Sequence, residues 1–145
     1  MAAVKVAIAS DHAGFTLKLS LLQALAEAKV EVEDLGPTST ASVDYPDFAK
    51  KVTSAVLGGG SQTVGVLVCS TGTGMSIAAN KVKGIRAALC RTEFEARMAR
   101  AHNDANVLCL GERVTGSGLA RAILEVFLNT QFEGGRHLAR VGKIE

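Results

Sequence analysis

Cysteine, hydroxyl residues and glycine are combined in one short segment that directly follows an apolar run. Cys69 is followed by Ser-Thr-Gly-Thr-Gly at 70–74. Small residues let a backbone approach a ligand closely, and N–H groups at the start of a helix bind anions. A thiol at such a position favours its thiolate, which is the form that acts as a base or nucleophile. We therefore interpret Cys69 as a reactive residue and 70–74 as an anion-binding loop.

Three further groups of residues could take part in chemistry. Asp11 and His12 directly follow the first apolar run, which places a carboxylate and an imidazole at one end of a strand. Asp11 could instead cap the helix that follows it. His102, near the end of a predicted helix, could simply complement the helix dipole. Guanidinium groups suit a phosphate dianion. The remaining candidates are His102, Asn103, Arg113, Arg136 and Arg140.

Known phosphate loops do not match the letters of this segment. A dinucleotide fingerprint needs a third glycine where the chain has Ile77, and no G-x-x-x-x-G-K-[ST] segment occurs. A cysteine phosphatase carries an arginine six residues after its nucleophile, where this chain has Met75. Nucleotide binding and phosphate-ester hydrolysis are therefore disfavoured.

Cysteine and histidine spacing gives no indication of a metal. The three cysteines have no C-x-x-C spacing, and His12, His102 and His137 match no recognised ligand motif. We interpret Cys90 and Cys109 as structural thiols, since no comparable loop follows either. The sequence predicts neither a metal nor a cofactor.

Short apolar runs alternate with amphipathic stretches, which is typical of βα units with a parallel sheet between two helical layers. Five units are predicted, in a single domain covering 1–145. The strands are placed at 4–9, 30–35, 64–69, 85–89 and 107–110, and the helices at 17–28, 48–57, 76–81, 93–101 and 119–127. The tail from about 130 has too few apolar residues for a sixth unit, so we expect it to pack on a partner subunit.

Composition excludes several classes of protein. Of 145 residues, 48% are hydrophobic and 21% charged, and the net charge of +2 is spread without a basic block. No apolar run approaches the length of a membrane span, and no secretory signal opens the chain. We expect a soluble cytoplasmic protein that binds neither nucleic acid nor membrane.

Seven motifs together resemble ribose-5-phosphate isomerase B and its galactose-6-phosphate and allose-6-phosphate relatives. They run in order along nearly the whole chain. They are Ser-Asp-His-Ala-Gly-Phe at 10–15, Asp-Tyr-Pro at 44–46, Cys-Ser-Thr-Gly-Thr-Gly at 69–74, Asn-Lys at 80–81, Gly-Ile-Arg at 84–86, His-Asn-Asp at 102–104 and Glu-Gly-Gly-Arg-His at 133–137.

The resemblance implies an α/β fold of three layers with a five-stranded, Rossmann-like parallel sheet. It also implies a homodimer, sometimes paired into tetramers, with active sites at the subunit interface. The reaction would interconvert ribose 5-phosphate and ribulose 5-phosphate through a cis-enediolate, without a cofactor or metal. Family members without the cysteine use a glutamate near the position of Met75, so this chain resembles the cysteine users.

The resemblance also assigns roles. Cys69 would move the proton, the backbone of Ser70, Thr71, Gly72, Thr73 and Gly74 with Asn103 would hold the enediolate, and His102 would open the sugar ring, with Thr71 as a partner. Asp11 and Tyr45 would orient hydroxyls. Phosphate would be bound by His12, Arg136 and Arg140, with Arg113 reaching in from the other subunit.

Two alternatives stay open from the sequence. A six-carbon aldose 6-phosphate of the allose or galactose type could be the substrate of the same chemistry. A non-catalytic sugar-phosphate-binding module could keep the arginines and the glycine loop, although it would have no reason to retain Cys69 together with His102.

Overall fold

A computed structural model describes residues 4–145; residues 1–3 of the predicted domain lie outside the described part. Five strands alternate with helices, and a sixth helix ends the chain. The strands are β1 (Lys5–Ser10), β2 (Glu31–Asp34), β3 (Thr63–Cys69), β4 (Ala87–Leu89) and β5 (Val107–Gly111). The helices are α1 (Phe15–Glu27), α2 (Tyr45–Gly58), α3 (Thr73–Asn80), α4 (Glu93–Asn103), α5 (Ser117–Asn129) and α6 (Arg136–Gly142).

The strands form one parallel sheet in the order β2-β1-β3-β5-β4. β3 lies at the centre, with Ser10 of β1 opposite Val68 and Gly111 of β5 opposite Cys69. All carboxyl ends therefore meet at one edge of the sheet, which we call the carboxyl edge, and all amino ends at the opposite amino edge. In open α/β sheets, ligands bind beyond the carboxyl ends of the strands.

Alternate residues of the central strands pack on two separate helical layers. One face, including Val66 and Leu108, packs against α1, α4 and α5. The other face, including Leu67 and Cys109, packs against α2 and α3. Because β1, β3 and β5 are buried on both faces, their sequences read as nearly continuous apolar runs. The predicted three-layer α/β/α fold with five parallel strands is confirmed.

Two parts of the chain differ from the sequence-based description. β2 reads Glu-Val-Glu-Asp and is largely exposed, because it lies at a sheet edge, where charged side chains block further pairing. The tail contains α6, which was not predicted because its apolar residues are few. The Glu133 N–H donates to the Ala101 oxygen (3.0 Å), so the tail packs on α4 of its own chain. Packing on a partner stays a prediction.

Within residues 4–145, none of the helices has the length and apolarity needed to cross a membrane.

Candidate active site

The loop between β3 and α3 places the Cys69 thiol at the carboxyl edge. Its sulfur accepts the Gly72 N–H at 3.1 Å, and the side chain is 6% exposed. Gly72 can turn the chain back towards the sulfur because its φ is 80°, a left-handed conformation that glycine adopts without strain. The donated N–H fixes the orientation of the sulfur at the carboxyl edge, where it can reach a ligand bound over the loop.

Internal hydrogen bonds already use part of the loop backbone. The Gly72 N–H is bound to Cys69, and the Thr73 N–H is bound to the Thr71 hydroxyl oxygen at 3.2 Å. The sequence predicted that N–H groups of this loop converge on an anion. In the structure, at least two of them shape the loop instead, which leaves the unpaired N–H groups in the first turn of α3 for a ligand.

The residues after β5 lie directly against this loop. The Glu112 N–H donates to the Cys69 oxygen (2.9 Å), and the Arg113 N–H donates to the Ser70 oxygen (3.0 Å). Arg113 therefore lies at the same edge as Cys69 of its own chain. An arginine that joins this thiol in one site does not have to come from another subunit.

Asp11 and His12 lie at the same edge and make local hydrogen bonds. The Asp11 carboxylate accepts the Gly14 N–H at 3.0 Å in the turn that precedes α1, and no side chain caps α1 itself. His12 Nδ1 accepts the Val43 N–H at 3.2 Å. A neutral His12 ring therefore carries its proton on Nε2, which makes this nitrogen a donor for an anion.

Tyr45 begins α2 and covers part of the loop. A Cβ atom on Gly74 would lie 2.8 Å from Tyr45 Cε1, so the ring packs directly over this glycine. The Tyr45 side chain is nevertheless 41% exposed. It can therefore contact both the loop and a bound sugar.

The other two thiols are in environments that keep them protonated. Burial, followed by the nearby Glu95, raises the pKa of Cys90 from 9.0 to about 12. Burial also raises the pKa of Cys109, with a smaller contribution from its neighbours Cys69 and Cys90. These two pKa shifts support the interpretation of Cys90 and Cys109 as structural thiols.

A second group of candidate residues lies at the amino edge. α4 begins beyond the carboxyl end of β4 and runs back, so His102 and Asn103 at its end lie near the start of β5. The Arg86 guanidinium fixes this end of the helix by donating to the Asp104 oxygen at 2.8 Å. The polar groups at the end of α4 are therefore held in place.

His102 belongs to a compact cluster with Glu133 and His137. The two imidazole rings stack with centroids 4.1 Å apart and planes 12° apart. Glu133 Oε1 lies 3.6 Å from His102 Nε2 and 3.7 Å from His137 Nε2. Burial, then the positive charges of His102 and Arg136, lower the pKa of His137, while Glu133 raises it.

These three residues are the part of the described chain that could hold a metal, since their donor atoms lie within 4.8 Å of one another. The ring geometry argues against a preformed site. An imidazole binds a metal in its ring plane, and an ion cannot lie in both planes of two stacked rings. The arrangement fits two imidazoles sharing one carboxylate better than it fits a bound metal.

Arg136 and Arg140 extend the positive charge around this cluster. Arg136 begins α6, and Arg140 lies one turn later on the same helix; both side chains are exposed. The pair lies near His137 and thus on the amino-edge side of the molecule. Two of the three predicted phosphate-binding arginines, Arg136 and Arg140, therefore lie with His102, whereas Arg113 lies with Cys69.

One chain does not bring the two groups together. β5 alone spans four residue steps between Val107 and Gly111, roughly 13 Å of strand, and His102 lies beyond its start. The carboxyl-edge group comprises Asp11, His12, Tyr45, Cys69, Ser70, Thr71, Gly72, Thr73, Gly74 and Arg113. The amino-edge group comprises His102, Asn103, Arg136 and Arg140.

Sequence reasoning gave no role to several groups that support these residues. Glu133 and His137 were noted only as parts of a motif. Their spacing of four, one helical turn, was a signal that they could face each other. No sequence signal indicated that Glu112 accepts the Leu17 N–H at 2.7 Å or that Val43 binds His12, because these contacts join distant segments.

This chain is similar to known proteins along nearly its whole length. The Ribose/Galactose Isomerase family matches residues 6–144. Ribose-5-phosphate isomerase B of Escherichia coli is 48% identical over 140 residues, covering 97% of this chain and 93% of that protein. The structure of ribose-5-phosphate isomerase B from Clostridium thermocellum superposes with a TM-score of 0.94 at 52% identity, covering 97% and 95% of the two chains.

A second solved structure, from another organism, gives the same result. The type B ribose 5-phosphate isomerase of Trypanosoma brucei superposes with a TM-score of 0.93 at 51% identity, covering 99% of this chain and 97% of that one. Each of these three matches covers at least 97% of this chain. The chain belongs to the Ribose/Galactose Isomerase family.

Proposed function

We propose that this chain is an aldose–ketose isomerase that interconverts D-ribose 5-phosphate and D-ribulose 5-phosphate without a cofactor. Family membership and the names of the E. coli and C. thermocellum relatives support this reaction. The observation that carries the proposal is the Cys69 sulfur, held by the Gly72 N–H at the carboxyl edge. A sulfur in this position can act as a base on a sugar bound over the loop.

The chemical requirement is a base together with stabilisation of an oxyanion. The C2 proton of the open-chain aldose is only weakly acidic, so its removal needs a positioned base and donors for the developing charge on O1. Cys69 takes this proton, and N–H groups at the start of α3, with Asn103, bind the cis-enediolate. A proton passes from O2 to O1, and the thiol then returns the abstracted proton to C1 while O2 becomes the ketone oxygen.

Ribose 5-phosphate is mostly a cyclic hemiacetal, which must open before this step. Opening breaks the C1–O4 bond, protonates O4 and deprotonates O1. We assign this proton transfer to His102, with Thr71 as a hydrogen-bonding partner. Asp11 and Tyr45 orient the sugar hydroxyls. Binding the phosphate at the far end holds C1 and C2 over the sulfur. The phosphate ligands are His12, Arg113, Arg136 and Arg140.

Each active site then needs two copies of the chain. Cys69 and His102 lie at opposite edges of one sheet, so a single chain cannot place both on one sugar. A two-fold dimer can place the amino-edge group of one subunit against the carboxyl-edge group of the other. The exposed Leu138 and Ile144 of the tail would be available for such an interface. We therefore propose a homodimer, which could pair further into a tetramer.

The cytoplasm is the proposed compartment. Cys69, Cys90 and Cys109 are all free thiols, which is typical of proteins kept in a reducing environment. Cys69 must in addition remain reduced to act as a base.

Turnover of ribose 5-phosphate tests the reaction directly. Purified protein in excess EDTA should form ribulose 5-phosphate, and Cys69→Ala should reduce kcat by at least about 100-fold. Cys90→Ala, which removes a protonated structural thiol, is the matched control and should retain activity. Absence of wild-type turnover would refute the ribose 5-phosphate reaction, and an active Cys69→Ala protein would refute the cysteine base.

Mixing two inactive variants tests the shared site. If Cys69→Ala and His102→Ala chains exchange subunits, half the dimers are hybrids, and each hybrid carries one intact site. The mixture should therefore recover about one quarter of wild-type activity. Mass spectrometry of differently tagged chains verifies that the subunits exchange. If they exchange and no activity returns, both residues act within one subunit.

A further inference from the structure

The segment from Glu133 to His137 contains groups that the proposed reaction does not use. The Glu133 N–H donates to the Ala101 oxygen (3.0 Å), which joins the segment to the last turn of α4. Gly134 and Gly135 follow with φ values of 67° and 54°, a left-handed conformation that reverses the chain. The reversal starts α6 and brings His137 back over His102. This segment thus builds the surroundings of His102.

The side chains of the segment enclose one face and one edge of the His102 ring. The His137 ring covers the face at a centroid distance of 4.1 Å, and its side chain is only 9% exposed. The Glu133 carboxylate approaches the edge, 3.6 Å from Nε2. This separation is that of an ion pair rather than a direct hydrogen bond. His102 itself remains partly exposed and open to a ligand.

Charge distinguishes the two imidazoles. Burial, followed by the neighbouring positive groups, lowers the pKa of His137, which favours its neutral form. Two stacked rings also repel each other when both are charged. Among the groups around them, the arginines are positive and Glu133 is the carboxylate that faces both Nε2 atoms. Glu133 is therefore the group that can balance a positive charge on His102 while this ring transfers a proton.

We propose that Glu133 is a positioning residue for His102. Its carboxylate lies beside Nε2 of the ring and holds it against the stacked His137 ring, so that His102 meets the sugar hemiacetal in one orientation. The inference rests on the proposed function, because it assigns ring opening to His102. Glu133 itself touches no reacting atom.

Ribulose 5-phosphate separates ring opening from proton abstraction. Its C5 oxygen carries the phosphate, so this ketose forms no furanose ring. Exchange of its C1 hydrogen with D2O therefore needs the base but neither ring opening nor ring closure. Glu133→Gln keeps the size of the side chain and removes its charge. Glu125→Gln, on the exposed face of α5, is the matched control.

Glu133→Gln should lower kcat for ribose 5-phosphate isomerisation by about 10-fold, because a misoriented His102 accelerates ring opening less. C1 exchange in ribulose 5-phosphate, followed by proton NMR, should stay within about two-fold of wild type, since the base is untouched. Glu125→Gln should change neither rate. Both assays are run in excess EDTA with the full dimeric protein.

The outcomes distinguish this inference from the proposed function. Equal loss of both rates in Glu133→Gln would indicate a general structural effect and overturn the positioning role. Unchanged isomerisation would overturn it as well. If wild type neither isomerises ribose 5-phosphate nor exchanges C1, the proposed function fails instead. Loss of exchange in Cys69→Ala, with exchange retained in Glu133→Gln, is the pattern expected when both are right.

Discussion

A Cβ atom placed on Gly111 would lie 2.5 Å from the carbonyl carbon of Thr71, so the end of β5 touches the backbone of the Cys69 loop. Gly111→Ala should displace this loop, because the contact is with backbone rather than with a flexible side chain. We expect kcat/KM to fall by about 10-fold to 100-fold and stability to fall by about 1–3 kcal/mol. Isomerase kinetics and urea unfolding measure the two effects.

Gly118→Ala is the control for that substitution. Gly118 lies in the first turn of α5, where nothing would meet a new Cβ atom. Alanine there should be neutral or slightly stabilising. Normal kinetics for Gly111→Ala would mean that the position of the loop does not depend on β5.

Arg136→Ala should weaken binding of the phosphorylated sugar more than it slows turnover. A guanidinium that binds the phosphate contributes equally in ground and transition states, so its loss raises KM by about 10-fold or more while kcat changes little. Steady-state kinetics with ribose 5-phosphate measures this separation. The exposed Arg97→Ala on α4 controls for loss of positive charge. An unchanged KM for Arg136→Ala would contradict its role at the phosphate.

Stability should fall as the pH rises above 9. The folded protein raises the pKa of Cys90 from 9.0 to about 12 and also raises that of Cys109, so the unfolded chain releases these protons first. Above pH 9 the unfolded state therefore binds fewer protons, and the free energy of unfolding decreases by up to about 1.4 kcal/mol per pH unit for each thiol.

Urea unfolding between pH 8 and 10.5 measures this slope. Cys90→Ala removes one of the two buried thiols and should reduce the slope, which separates its contribution from that of lysine and tyrosine titration. An identical slope in wild type and Cys90→Ala would show that the Cys90 thiol ionises as readily in the folded protein as in the unfolded chain.

Lys18→Met should destabilise the fold and loosen the segment that leads to Tyr45. The Lys18 side chain is fully buried, and its Nζ donates to Asp34 Oδ1 at 2.9 Å and to the Pro37 oxygen at 2.7 Å. Methionine keeps most of the packing but leaves two acceptors without this donor. Asp34 is partly exposed and can be rehydrated, so we expect a loss of about 1–3 kcal/mol.

Chemical denaturation measures the loss, and Lys50→Met on the exposed side of α2 is the control. Stability equal to wild type in Lys18→Met would mean that the buried ammonium contributes no more than a methionine side chain of similar length.

The strands and their order along the chain could be predicted because both faces of β1, β3 and β5 are buried, which produces continuous apolar runs. β2 was harder to describe, since an edge strand such as Glu31–Asp34 needs no apolar pattern. α6 was missed for a similar reason. Seven residues with one buried side chain, His137, carry almost no periodic signal.

The loop after Cys69 could be predicted from its letters because its function depends on local backbone geometry. Gly72 must adopt a positive φ, and the thiol must precede a helix N-terminus; both requirements are met within six residues. Asp11 also acts locally, because its carboxylate accepts the Gly14 N–H within the turn before α1. Contacts between residues three positions apart can be predicted from the sequence, because both partners lie in one short segment.

The sequence by itself determined the fold class and the types of residues available for chemistry, because burial and turn geometry act over short stretches of chain. Only the tertiary structure decided which of those residues meet. The alternation of strand and helix sends α4 back across the sheet, so His102 lies at the edge opposite Cys69. The pairing of His102 with Glu133 and His137 was likewise decided there, since it depends on a glycine reversal that returns the tail to α4.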